Sequence, residues 1–196
     1  MSNVFGKIVV LVLFVQIQLQ GFRSFGGTSN HSYAPPTYDD ENTDDFTMLI
    51  SGGYRPQKPK YTKFVVSIRT SRATAYFGDN HFCAGTIIAS RLVVTAAHCI
   101  MDSNKIVTRP RRLVVVAGCP NRLQRTRDTV EMLVESVIPH ELFVRKGGND
   151  IALLRLKNPI PDDIEHINMI PLIDEEVKPN TRCTILGWGQ LFYVSR

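Results

Sequence analysis

The chain has 196 residues, a net charge of +5 and 43% hydrophobic residues. This composition is typical of a globular protein with a real core, and it excludes an intrinsically disordered chain. The charge is uneven, because residues 1–49 carry a net −3 and residues 50–196 a net +8.

The first 21 residues are typical of a secretory signal peptide. Lys7 precedes the apolar run 8–15, which would be only about 12 Å long as a helix. Roughly 30 Å of hydrocarbon must be crossed, so this run is too short to span a membrane. We therefore expect a secreted, extracellular protein without stable membrane insertion, with an uncleaved N-terminal anchor as the alternative.

Residues 22–49 are rich in Gly, Ser, Asn, Pro and acidic side chains, with five acids between Asp39 and Asp45. Such a composition buries too little apolar surface to fold, so we expect a flexible acidic pro-segment. Asn30 begins a glycosylation sequon that would be accessible there.

Six short apolar runs follow Tyr61 without intervening helical patterns. They cover residues 64–68, 81–89, 92–95, 113–116, 130–137 and 151–156, and clusters of Gly, Asn and Asp separate several of them. This pattern predicts an all-β, antiparallel sandwich or barrel. Residues 158–178 contain three prolines and indicate a surface connector, and residues 181–186 indicate one more strand.

Two motifs carry a family resemblance. The sequence T-A-A-H-C ends at Cys99, and D-I-A-L-L begins at Asp150. Over about residues 50–189 the chain resembles the trypsin-type (chymotrypsin-like, S1) serine proteases. The resemblance implies an antiparallel six-stranded Greek-key barrel, the first of the family's two. It also implies that residues 50–196 form a protease domain truncated after the start of the second barrel.

The resemblance assigns His98 as the general base and Asp150 as the carboxylate that orients it; the triad template is described on this same family. Imidazole suits the first role because it exchanges protons near neutral pH. The family's glycine-flanked nucleophilic serine is absent from the sequence, and Ser195 lacks such glycines. The specificity pocket and oxyanion hole belong to the same missing part, so we expect the chain as written to be inactive.

The four cysteines are Cys83, Cys99, Cys119 and Cys183. The resemblance pairs Cys83 with Cys99, and it gives Cys183 a downstream partner that the sequence does not contain. Cys119 is therefore either a free thiol or the partner of Cys183. Secretion permits both the Cys83–Cys99 disulfide and a Cys119–Cys183 disulfide.

Ile50 and the following S-G-G resemble the family's mature N-terminus, which an activating protease releases from a zymogen. Leu49 occupies the position where a trypsin-like activator needs Arg or Lys. A chymotrypsin-like or elastase-like activator would accept leucine, and no activation at all is the alternative.

Neither a metal nor another cofactor is expected. His81, His98, His140, Asp150 and His166 lack the paired spacing of a metal site. The densest basic region spans Arg109–Arg127. We interpret it as solvated loop charge rather than a polyanion site, and we expect no nucleic-acid partner.

Two functions follow. The first is a secreted serine endopeptidase that acts on protein or peptide substrates and is represented here by its N-terminal portion. The second is a noncatalytic protease homologue that regulates a protein partner by binding it.

Overall fold

The computed structural model describes residues 61–72, 75–145, 147–174, 176–181 and 183–188. The predicted signal peptide, pro-segment, Ile50 junction and Ser195 lie outside this part of the chain. The strands are β1 (Val65–Thr70), β2 (His81–Ala89), β3 (Leu92–Thr95), β4 (Leu113–Ala117), β5 (Val130–Pro139) and β6 (Ala152–Leu156). The helical elements are the single-turn helix α1 (Ala97–Ile100) and the 3₁₀ turns Thr62–Phe64 and Pro110–Arg112.

The six strands close into one antiparallel barrel in the order β1-β2-β3-β6-β5-β4. Two consecutive three-stranded units, β1-β2-β3 and β4-β5-β6, are joined by the β1–β4 and β3–β6 pairings. Closure leaves no unpaired sheet edge among these strands. The predicted all-β, six-stranded barrel is confirmed, with strand ends within two residues of those expected.

Branched aliphatic side chains fill the barrel because they fit a pleated, buried surface. Val66, Ile68, Ile87, Val93 and Leu154 are all completely buried. β5 instead shows partial alternation between buried and exposed positions, as expected for a strand with one face to water.

One end of the barrel gathers the ends of β1, β3 and β5 and the starts of β4 and β6. Thr70 at the end of β1 pairs with Leu113 at the start of β4. Thr95 at the end of β3 pairs with Ala152 at the start of β6, and Pro139 of β5 pairs with the same alanine. The loops after β1, β3 and β5 therefore leave the barrel at the same end.

Residues 158–178 contain neither a helix nor a strand where they are described, which agrees with the predicted connector. Ile160, Ile167 and Ile170 along it are buried against the barrel. No helix in the described ranges is long and apolar enough to cross a membrane.

The strand predicted at residues 181–186 is wrong. Thr184 makes an isolated β-bridge, and the other described residues of this range are irregular. A strand needs a paired neighbour, and all six barrel strands are already paired on both sides. Ile185 is 53% exposed. Trp188 is partly buried, and its indole N–H donates to the Pro120 carbonyl at 2.7 Å.

Candidate active site

His98 lies on the first turn after β3. Ala96 keeps an extended backbone with φ −81° and ψ 142°, and α1 begins at the next residue. Ala97 is completely buried, so the turn is anchored in the core. Thr95 fixes the end of the strand, because its hydroxyl donates to the Ala84 carbonyl on β2 at 2.8 Å.

A disulfide joins Cys83 of β2 to Cys99 of α1, with Cα atoms 6.2 Å apart and a sequence separation of 16. The predicted pairing is confirmed. Closing a loop of this length stabilises the folded chain by about 3 kcal/mol in the chain-entropy model. Since Cys99 follows His98 directly, the bond also restrains the turn that carries the imidazole.

Asp150 lies in the short segment before β6. Asn149 has a positive φ of 60°, which asparagine tolerates better than most residues. Its side-chain amide donates to the Leu142 carbonyl at 3.2 Å. The backbone N–H of His140 donates to the Ile151 carbonyl at 2.9 Å. These bonds on both sides fix the backbone around Asp150.

The two residues meet through both oxygens of the carboxylate. Asp150 Oδ2 lies 2.7 Å from His98 Nδ1, and Oδ1 accepts the backbone N–H of His98 at 2.8 Å. An ionised carboxylate is only an acceptor, so Nδ1 carries the proton. The His98 side chain is 23% exposed, and the Asp150 side chain is 41% exposed. The geometry therefore fixes the ring orientation and the tautomer of a solvent-accessible histidine.

The second ring nitrogen of His98 becomes the basic one in this tautomer. Nε2 lies 3.6 Å from Cys99 Sγ, a disulfide sulfur that has no proton to donate. Cys83, His98 and Cys99 form the only cluster of potential metal ligands found in the described ranges. The disulfide consumes both thiolates, so this set does not suit a metal ion.

The other histidines considered from the sequence contact different groups. His140 Nδ1 accepts the Leu142 backbone N–H at 3.1 Å, and His166 lies 3.7 Å from Asp128. His81 contacts Ser67. They therefore do not converge with Asp150 on a shared site.

Arg145 also contacts the His98 turn, and this contact was missed from the sequence. Its guanidinium donates to the Met101 carbonyl at 3.2 Å and to the His98 carbonyl at 3.5 Å. Because Arg145 belongs to the loop between β5 and β6, it links that loop to α1.

A second polar cluster lies on the outer face of β1, opposite the core residues Val66 and Ile68, and was missed from the sequence. Arg69 is only 2% exposed, and its Nε donates to Ser67 Oγ at 2.8 Å. It also donates to the Arg122 carbonyl at 2.9 Å and lies 4.2 Å from the Phe77 ring centre. Ser67 Oγ is 2.8 Å from His81 Nδ1. The available signal was a serine and an arginine two residues apart within an apolar strand.

Burial is the largest cause of the pKa shifts in this cluster. Burial, followed by the positive charges of Arg122 and Arg69, lowers the pKa of His81 to about 4. Burial raises the pKa of the Cys119 thiol, which accepts a bond from Arg69 at 3.5 Å. Cys119 and the exposed Cys183 are both free thiols, so they do not pair with each other.

The fold and the site define a class: an antiparallel β-barrel that brings a histidine and an aspartate into contact at one end. The sequence model of the trypsin family matches residues 50–195. The chain therefore belongs to the trypsin family of serine proteases, as its two motifs predicted.

Three curated relatives are similar to the chain. Bovine (Bos taurus) duodenase-1 is 33% identical over 72% of this chain and 52% of its own length. Serine protease SP24D of Anopheles gambiae is 37% identical over 59% of this chain and 40% of its own length. Mouse (Mus musculus) tryptase is 32% identical over 57% of this chain and 39% of its own length. The chain thus spans about half, or less, of the length of these relatives.

Proposed function

We propose that this chain carries the base and the orienting carboxylate of a serine endopeptidase, a hydrolase of peptide bonds in proteins or peptides. The observation that carries the proposal is the contact between His98 and Asp150 through both carboxylate oxygens, at 2.7 and 2.8 Å. Membership of the trypsin family supplies the reaction class.

In the proposed reaction, Asp150 stays ionised and holds the Nδ1 proton of His98. Nε2 then takes the proton from a serine hydroxyl as the oxygen attacks the peptide carbonyl, and it returns that proton to the leaving amine. The carboxylate also stabilises the imidazolium that forms in between.

The reaction also needs a nucleophilic serine and oxyanion donors, and the 196 residues contain no G-D-S-G-G motif. We expect this chain by itself to be inactive, because loss of the serine alone costs about 10⁶-fold in kcat in a related enzyme. An active endopeptidase requires those groups from residues outside this sequence.

The test is to isolate the natural product, obtain its full sequence by mass spectrometry and treat it with a fluorophosphonate probe for reactive serines. We expect a labelled serine that is downstream of Asp150. In that protein, Asp150→Asn should lower kcat by about 10⁴-fold. A full-length product without a labelled serine contradicts the proposal, as does peptide hydrolysis by the 196-residue chain itself.

We also propose secretion with removal of residues 1–21, followed by zymogen activation through cleavage before Ile50. The apolar run 8–15 and the I-S-G-G sequence support these steps. N-terminal sequencing of the secreted protein checks both. Retention of residues 1–21 contradicts the first step, and a mature N-terminus other than Ile50 contradicts the second.

One observation favours the second candidate, a noncatalytic homologue that binds a regulatory partner. The junction places Leu49 before and Ser51 after Ile50, which departs from the family pattern. Failure of the full-length natural product to react with the probe, together with its stable binding to an intact protein, would support this function.

A further inference from the structure

A groove of about 790 Å³ opens beside the 3₁₀ turn Pro110–Arg112. Its described lining consists of Thr70, Ser71 and four arginines, Arg72, Arg109, Arg111 and Arg112. No acidic side chain is among these residues. All four arginines are exposed, and a volume of this size accommodates several side chains of a ligand.

The four guanidinium groups share a second property. Within the described part of the chain, none of them forms an ion pair, a side-chain hydrogen bond or an aromatic stack. Every other described arginine makes at least one such contact: Arg69, Arg91, Arg122, Arg125, Arg127, Arg145 and Arg155. The groove therefore concentrates the arginines whose charge the protein leaves uncompensated.

The backbone holds these arginines together. Thr70 pairs with Leu113 at the end of the β1–β4 ladder. The Ser71 N–H donates to the Arg112 carbonyl at 2.8 Å, and the Arg112 N–H donates to the Arg109 carbonyl at 2.9 Å. Four like charges held close by fixed backbone repel one another, and an anionic ligand would relieve that repulsion.

The groove lies at the same end of the barrel as the His98–Asp150 pair. The ends of β1 and β3 and the starts of β4 and β6 meet at that end. The segment 101–108 connects α1 to Arg109 directly, and the Thr108 N–H donates to the Ile100 carbonyl at 2.8 Å. A polypeptide ligand that crosses this end can thus contact both the groove and the His98–Asp150 pair.

We propose that the groove binds an acidic segment of a polypeptide, with Asp or Glu carboxylates on the four guanidinium groups. Arginine suits this role because its planar fork pairs with a carboxylate through two parallel hydrogen bonds. A polypeptide is favoured over a sulfated polysaccharide because the groove shares its end of the barrel with the pair proposed to act on peptide bonds. Binding itself requires no hydrolysis, so it goes beyond the proposed function and is tested separately from it.

The test measures fluorescence anisotropy of a fluorescein-labelled peptide of alternating Asp and Glu with the purified full chain. We expect saturable binding that weakens as salt screens the charges. The double variant Arg111→Ser/Arg112→Ser should raise Kd about fivefold or more, since two ion pairs are lost. Arg72→Ser, at another position lining the groove, should raise Kd in the same direction.

The matched control is Arg127→Ser/Lys157→Ser, which removes the same net charge from exposed positions outside the groove lining. It should change Kd less than twofold. Equal losses for the control and groove variants, or no binding at low salt, would overturn the proposal. So would a heparin-derived oligosaccharide of equal charge that binds through the same arginines much more tightly than the peptide. Thermal unfolding of each variant checks that it is folded.

Discussion

Two histidines of this barrel contrast in their surroundings. His98 is accessible and holds an aspartate through Nδ1, whereas His81 faces a serine hydroxyl in a cluster with two arginines nearby. Arg69 donates to that hydroxyl, so the serine proton is available to donate to His81 Nδ1. The Nδ1 atom of His98 is thus held by an anion, whereas burial near cations keeps His81 neutral.

The difference shows that a histidine's role follows from its neighbours. Burial near cations disfavours the imidazolium form of His81. The proposed proton transfer and the pH dependence of stability therefore involve separate histidines. Three substitutions and one pH change test this contrast.

The largest effect is expected for Arg69→Ala, at the centre of the buried cluster. The change leaves Ser67 Oγ and the Arg122 carbonyl without their donor and opens space beside Phe77. We expect the free energy of unfolding to fall by about 4 kcal/mol, measured by urea denaturation. Arg155→Ala, which removes an exposed ion pair with Glu135, should cost less than about 1 kcal/mol. Equal losses would contradict the importance of burial.

The next effect is a pH dependence from His81. Its pKa is about 4 in the folded chain, against 6.5 for an ordinary histidine. As pH falls, the unfolded chain binds this proton first, so the contribution is complete above pH 6.5 and is lost towards pH 4. We expect a loss of up to about 3 kcal/mol over that window. Urea denaturation of His81→Gln should lack this loss, while His98→Gln should retain it.

A smaller effect on stability is expected for Asp150→Asn. The aspartate is partly exposed, so the free energy of unfolding should fall by about 1 kcal/mol or less. The ring should respond more clearly, because the carboxylate that holds the Nδ1 proton is gone. Nitrogen NMR of His98 should show a mixture of tautomers in place of one. An unchanged tautomer would contradict the orienting role.

The smallest effect is expected for Arg145→Ala, at the exposed link between the β5–β6 loop and α1. Its bonds to the carbonyls of Met101 and His98 are long, at 3.2 and 3.5 Å. We expect a loss of about 0.5 kcal/mol in unfolding free energy, together with faster amide exchange in α1. Exchange unchanged relative to the wild type would show that the link is dispensable.

Local patterns were sufficient to predict most of the fold. Each barrel strand is a short run of β-branched and apolar residues, so the six strands and their approximate ends could be found without knowing their partners. The contact between His98 and Asp150 and the Cys83–Cys99 bond followed from the family motifs. The catalytic roles of His98 and Asp150 remain predictions.

What failed depended on distant neighbours. Residues 181–186 have strand-forming side chains, but the described residues of this range show only an isolated bridge at Thr184. The burial of Arg69 depends on its contacts with Phe77, Cys119 and Arg122. Strand register decides which of these residues lie beside it. Three of the groove arginines lie in the basic region that was interpreted from the sequence as solvated loop charge, and the proposed groove departs from that interpretation. Sequence could not show that the segment after β1 adds Arg72 to them.

The order in which the strands pair also bears on folding kinetics. β1, β2 and β3 join through short connections, but β3 reaches β6 only by pairing residues such as Leu92 and Arg155, which are distant in the chain. Such long-range pairings form late, because the intervening chain must first lose its loop entropy. His98 follows β3 and Asp150 precedes β6. We therefore expect their contact to form late in folding, once β3 and β6 have paired.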